Sequence, residues 1–169
     1  MVVYTTIITQ VEINMSYLIM SGIVAIILLG FSIYDWKTKR VPNKALALFI
    51  PVILFMTVLR YFNTQADIWL YIGHCALGSL IGGGLLLTSA LISHGQGIGG
   101  GDIKLAALIG IYYGPYDMLF ILFFATLFAC VFGLIKRSIT KSKDLQIAFV
   151  PFITMSACIL MIIKGVFLI

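Results

Sequence analysis

Charge is what this sequence has least of. Only 10% of its 169 residues are Asp, Glu, Lys or Arg, against about 25% in an ordinary soluble domain. With 62% hydrophobic residues and a mean hydropathy of +1.13, a water-soluble globular domain is excluded. Metal-binding and thiol chemistry are also thinly provided for. Cys75, Cys130 and Cys158 each lie inside an apolar run, and no two of them form a C-x-x-C pair. They read as packing residues, so no thiolate metal site and no other cofactor is expected. The first 13 residues hold no Lys or Arg, so the basic start of a secretory signal is missing. A phosphate-cradling loop would need G-K-[ST], and the glycine-rich stretch here continues as Gly101-Asp102-Ile103-Lys104 instead.

What is present is a series of long apolar runs. A bilayer crossing takes about 20 residues, and the runs at 14–34, 44–59, 68–93, 102–114, 118–135 and 146–166 give six expected transmembrane helices. The fold class is therefore all-α and polytopic, with a multi-pass protein of the plasma membrane expected. Residues 1–13 read as an N-terminal extension on the non-cytoplasmic side and residues 14–169 as one membrane-embedded domain, with Met15 an alternative start. The net charge of +5 reports orientation in the lipid bilayer, and no nucleic-acid partner is expected. Lys37, Lys39, Arg40 and Lys44 follow the first span, Lys104 follows the third, and Lys136, Arg137, Lys141 and Lys143 follow the fifth. Only Arg60 and Lys164 fall on the other side. The connections after odd-numbered spans are thus cytoplasmic, and both termini are non-cytoplasmic. In the third span, Gly78 with Gly82 and Ser79 with Gly83 form small-xxx-small pairs. These read as internal helix packing, with a dimer face as the alternative; the oligomeric state is left open.

The fourth run is short. Its 13 residues reach about 20 Å, against about 30 Å of hydrocarbon. The glycine-rich loop at 95–101 is therefore expected to dip into the membrane as non-helical backbone, which is tolerated where protein or water meets it. Asp102 stands at the end of that loop, and Asp35 stands at the end of the first span. Both are expected at the cytoplasmic face, each beside apolar sequence, where ionisable groups are costly and usually functional. The alternative for Asp35 is a simple ion pair with nearby lysines. Asp67 and Asp117 read as solvated turn or cap residues, as does Asp144 beside Lys143, and Glu12 as an interfacial charge.

Paired carboxylates suit hydrolysis without a metal. Like charges held a few ångströms apart cannot both ionise, so one carboxyl keeps a proton while the other stays anionic. Nucleophile–histidine schemes fit less well. His74 is mid-span on the wrong half, and His94 abuts the glycine loop with no G-x-S-x-G and no placed Cys to serve. Lys104, two residues beyond Asp102, lends positive potential or anchors to lipid headgroups.

Gly99-Gly100-Gly101-Asp102 followed by Ile103-Lys104-Leu105 resembles the G-x-G-D-x-K-L motif of the type IV prepilin peptidase family, which includes archaeal preflagellin peptidases. Asp35 with Arg40-Val41-Pro42-Asn43 is similar to that family's first aspartate motif, in which Pro42 and Asn43 open the second helix. Phe149-Val150-Pro151-Phe152 resembles the start of its last helix. The resemblance implies that Asp35 and Asp102 are a catalytic pair supported by Gly99, Gly100, Gly101 and Lys104. It implies a pilin-like or preflagellin-like precursor as substrate, cut after a glycine behind a short basic leader. The paired-cysteine insert that accompanies N-methylation in larger members has no counterpart here, so a peptidase-only form is expected. Two other readings of the aspartates stand beside this one: a small ion- or proton-coupled transporter, and a non-catalytic pilus or secretion assembly partner.

Overall fold

The computed structural model describes residues 2–39, 41–64, 66–93, 99–140 and 147–167, with side chains at 15–39, 41–64, 66–93, 99–139 and 147–165. Arg40, His94, the loop residues 95–98 and residues 141–146, with Lys141, Lys143 and Asp144, lie outside the described residues, as does the Glu12 side chain. The described chain is all-helical: α1 Val2–Thr38, α2 Asn43–Thr64, α3 Ile68–Ile92, α4 Gly100–Tyr113, α5 Pro115–Thr140 and α6 Val150–Phe167. In lipid every backbone N–H and C=O must be satisfied within its own segment, and a helix does this. Four helices are long and apolar enough to cross a membrane, over Met15–Thr38, Asn43–Thr64, Ile68–Ile92 and Pro115–Ile139. Helix α6 contains a shorter apolar stretch, Val150–Gly165. Helix α4 has 14 residues, about 21 Å of rise, and falls short of spanning.

The helix ends differ from the sequence expectation in instructive ways. Helix α1 starts at Val2, so residues 2–13 continue its backbone helix, and it runs on to Thr38. Asp35 is therefore inside its last turn. That turn closes with the Lys39 N–H donating to the Asp35 carbonyl at 2.7 Å, while Lys39 takes a φ of 51°, the left-handed stop that ends many helices. Pro42 precedes α2 and its carbonyl accepts from Leu46 N–H at 3.1 Å, so Pro42 holds the cap position and Asn43 is the first helical residue. Helix α4 begins at Gly100, which makes Asp102 its third residue. The expected four-residue turn at 114–117 shrinks to Gly114 alone. At φ 81° Gly114 reverses the chain in one step, and Pro115 fits the first position of α5. A Cβ on Gly114 would run into the His74 ring.

The tightest packing is between α3 and α4, and glycine makes it possible. A Cβ added to Gly78 would land on the Gly110 carbonyl, and one added to Gly82 on the Ala106 carbonyl. At Gly83 a Cβ would sit 2.9 Å from Ala107 Cβ. The backbones touch, as small-residue stripes allow, so the stripe faces inward. Leu105, Ala106 and Ile109 of α4 are fully buried in the same core, beside Ile53, Met118 and Ile121.

At the end of α4 away from Asp102, charges tie five helices together. Arg60 of α2 donates to the Tyr112 carbonyl at 2.5 Å, meeting an acceptor that the helix end leaves free. Its guanidinium lies 5.3 Å from the Tyr17 ring centroid and 5.4 Å from that of Tyr112, within cation–π range. Lys164 of α6 pairs with Asp117 of α5 at 2.5 Å and lies 5.5 Å from the Tyr17 ring. Asp117 is therefore not a solvated turn residue. Starting α5 at Pro115 turns its side chain, 13% exposed, toward α6. Cys75 and Cys158 are half-buried as free thiols, but Cys130 is exposed rather than packed.

Gly82→Leu should lower the thermal stability of the detergent-solubilised protein by at least about 1–3 kcal/mol, the usual cost of overpacking. Gly84→Ala, where a Cβ meets open space, should be neutral or gain up to about 1 kcal/mol of helix propensity. Equal effects of the two changes on the unfolding midpoint would contradict the α3–α4 contact.

Candidate active site

Among the described residues, two carboxylate side chains are buried: Asp35, 2% exposed, and Asp102, 9% exposed. They come from different helices. Asp35 comes from the last turn of α1 and Asp102 from the first turn of α4, and the charge of Asp35 is felt at Asp102. The two connecting segments also meet. A Cβ on Gly101 would lie 2.7 Å from Val41 Cβ and 3.0 Å from the Val41 carbonyl oxygen, so this glycine lets α4 start against the α1–α2 connection. Lys104 Nζ donates to Asn43 Oδ1 at 3.3 Å, a second link across the same junction. The two stretches singled out in the sequence are thus one place in the fold.

Each carboxylate is met by backbone N–H groups at a helix start. Asp35 Oδ2 accepts from the Val150 N–H at 3.2 Å, and the Phe149 N–H also hydrogen-bonds this carboxylate. Phe149 precedes α6, its carbonyl taking bonds from Phe152 N–H at 3.1 Å and Ile153 N–H at 3.3 Å. The donors that α6 leaves unpaired in its first turn are thus turned on Asp35. The expected alternative, an ion pair between Asp35 and a neighbouring lysine, is not formed with any described lysine. Asp102 bonds the backbone of Gly99, the residue that caps α4. Its own N–H donates to the Gly99 carbonyl at 3.0 Å, an i→i+3 bond that tightens the first turn of α4.

Helix α4 is too short to be a membrane span, and Asp102 sits in its opening turn. Burial, then the negative charge of Asp35, push the Asp102 carboxyl up to about 6, with the Gly99 hydrogen bond opposing them. One member of the pair therefore holds a proton near neutrality more readily than an ordinary aspartate, which suits acid–base work.

The glycines of the loop are not equivalent. Gly101 is pressed against Val41, whereas Gly100 has open space around it and Gly99 is exposed. Lys104 and Asn43 also line a groove of about 370 Å³ between α2, α3 and α4, with Leu46, Ala107 and Ile111 among its walls. This groove lies along the face of α4 that carries Lys104 and does not include either aspartate. The Phe149–Val150 donors were missed as partners of Asp35, although Pro151 marked the start of that helix. His74 packs against Gly114 at the other end of α4. No group of three or more His, Cys, Asp or Glu residues that could hold a metal ion occurs among the described residues.

Residues 22–134, two thirds of the chain and including both aspartates, match the type IV leader peptidase family. The chain belongs to this family. It is 35% identical over 107 residues to a prepilin leader peptidase/N-methyltransferase of Bacillus subtilis (strain 168), covering 63% of this chain and 40% of that protein. It is 27% identical over 135 residues to a prepilin leader peptidase/N-methyltransferase of Escherichia coli (strain K12), covering 78% of this chain and 57% of that protein. The chain thus spans about half the length of these curated relatives. No solved structure matches it.

An infrared titration of the protonated-carboxyl C=O stretch in the reconstituted protein should show a midpoint near pH 6. Replacing Asp35 with Asn removes the repelling charge, so the midpoint should move to lower pH. A midpoint in the ordinary aspartate range, unaffected by Asp35→Asn, would show that the two groups do not interact.

Proposed function

We propose that this chain is a membrane aspartic endopeptidase that removes the short basic leader from pilin-like or preflagellin-like precursors at the cytoplasmic face. The observation that carries this reading is the burial of Asp35 and Asp102 within electrostatic reach of one another, in a chain of the type IV leader peptidase family. Asp35 and Asp102 are the catalytic pair. One carboxylate takes a proton from water as the water oxygen attacks the scissile carbonyl. The other carboxyl gives its proton to the carbonyl oxygen. No metal or covalent intermediate is required. The prepilin leader peptidase names of the relatives support the substrate class.

Charge distribution supports the cytoplasmic placement. Lys37 and Lys39 follow the Asp35 turn, and Lys104 follows Asp102, whereas Arg60 and Lys164 sit at the opposite end of the bundle. Basic residues favour the cytoplasmic side, so the aspartate end faces the cytoplasm of a plasma-membrane protein and both termini face away from it. Gly99, Gly100 and Gly101 support the site by close backbone approach, Gly101 toward Val41 and the exposed pair toward substrate. Lys104 fixes the start of α4 to Asn43, at the opening of α2 behind Pro42. A scissile helix hides its carbonyls in i→i−4 bonds, and glycine weakens a helix by up to about 1 kcal/mol, which favours cleavage beside a glycine.

Co-expression of a pilin-like precursor with wild type, Asp35→Asn or Asp102→Asn tests the assignment on a gel. Either change should slow leader removal by about 10²–10⁴-fold, the range for losing a positioned acid or base. Processing that survives both changes would refute the paired-acid mechanism.

A further inference from the structure

The two carboxyls are not held alike. Asp35 is 2% exposed and receives two successive backbone N–H groups, from Phe149 and Val150, at the start of another helix. Asp102 is more open, at 9%, and its backbone partner is Gly99 of its own cap. A helix start favours negative charge through its free N–H groups and its dipole, and N–H donors bond a carboxylate more strongly than a neutral carboxyl. Other charges do not reverse this. Asp102 is the titratable side chain facing Asp35 from α4, α6 offers it backbone donors, and Lys37 in the last turn of α1 and Lys39 just beyond it are exposed and form no ion pair with it.

Resting on the hydrolase reading above, we infer that the N-terminus of α6, through the Val150 N–H, fixes Asp35 as the ionised, water-activating carboxylate and leaves the shared proton on Asp102. The water oxygen bonds the scissile carbonyl carbon, and its proton passes to Asp35. The Asp102 proton passes to the carbonyl oxygen, giving a neutral gem-diol. As the C–N bond breaks, Asp35 returns its proton to the leaving nitrogen, and a gem-diol hydroxyl returns one to Asp102. The resting protonation is restored. Val150 is a positioning residue in this scheme, acting through Asp35, and it lies outside the segment that matches the family.

Val150 is the first residue of α6, a position that accepts proline without breaking a helix. Val150→Pro therefore deletes the donor while keeping the helix start. Val150→Ala keeps the donor and loses only side-chain packing. With a pilin-like precursor, Val150→Pro should lower kcat by about 10- to 100-fold, as expected for a hydrogen bond to a charged group, with KM little changed. The acid limb of its pH–rate profile should move to higher pH. Val150→Ala should keep both limbs in place, and thermal unfolding of each variant reports that it is folded. A folded Val150→Pro protein with wild-type kcat and acid limb would overturn the inference. A second arm needs no substrate. The protonated-carboxyl infrared band expected near pH 6 should vanish in Asp102→Asn and persist, at lower pH, in Asp35→Asn. The reverse pattern would overturn the assignment of the proton. Cleavage that survives both aspartate changes would instead sink the hydrolase reading, and the infrared arm would still decide where the proton sits.

Discussion

Two acids are buried in an apolar bundle, one within electrostatic reach of the other, and no described cation pairs with either of them. This is the constraint the rest of the structure answers. A carboxylate removed from water must find hydrogen-bond donors or give up its charge. Here the donors are main-chain N–H groups at helix starts, Val150 and Phe149 for Asp35 and Gly99 for Asp102. Backbone donors stabilise an anion without fixing a full positive charge next to it. A lysine or arginine in the same place would hold both acids ionised and remove the proton that the proposed acid–base chemistry needs.

Those helix starts are useful only if they stay in place, and that is the work of the small residues. Helix α4 is too short to be located by the bilayer. Its position is set instead by α3, through backbone contact at Gly78, Gly82 and Gly110. Its first turn is set by the α1–α2 connection, through Gly101 on Val41 and Lys104 on Asn43. The far end is held by the Arg60 bond to the Tyr112 carbonyl. Asp102 thus rides on an element fixed at both ends and along one side. The Lys164–Asp117 pair ties the far end of α6 to α5, while the near end of α6 meets Asp35.

Much of this was legible in the sequence because the background is so apolar. Against 62% hydrophobic residues, a carboxylate beside a glycine run stands out, and so does one followed by a basic, proline-containing turn. The small-residue stripe of α3 was legible for the same reason, since small residues at that spacing let helices approach closely in lipid. What could not be read were contacts made by the main chain. The Val150 donor to Asp35 lies 115 residues away, and it and Phe149 have side chains that say nothing about hydrogen bonding. The sequence places Asp117 in a four-residue turn, whereas one positive-φ glycine, Gly114, suffices and leaves Asp117 in the first turn of α5. Apolar runs understate the helix lengths because α1, α2 and α5 continue past them into polar residues, where water can satisfy the side chains while the backbone ladder persists.

The exposure pattern around the pair has a consequence for how a peptide could reach it. Asp35 is enclosed between α1 and the start of α6, while Asp102 adjoins Gly99, which is exposed, and Gly100, which has open space around it. An extended strand of substrate backbone could lie along these glycines because no Cβ stands in its way. On the proposed reading, its carbonyl oxygen would then come first to the more open acid, the one argued to hold the proton. The attacking water would be held on the far side, against the enclosed carboxylate and away from bulk solvent. One geometric asymmetry, an outer acid beside bare glycines and an inner one at a foreign helix start, would then order both the approach of the peptide and the direction of proton flow.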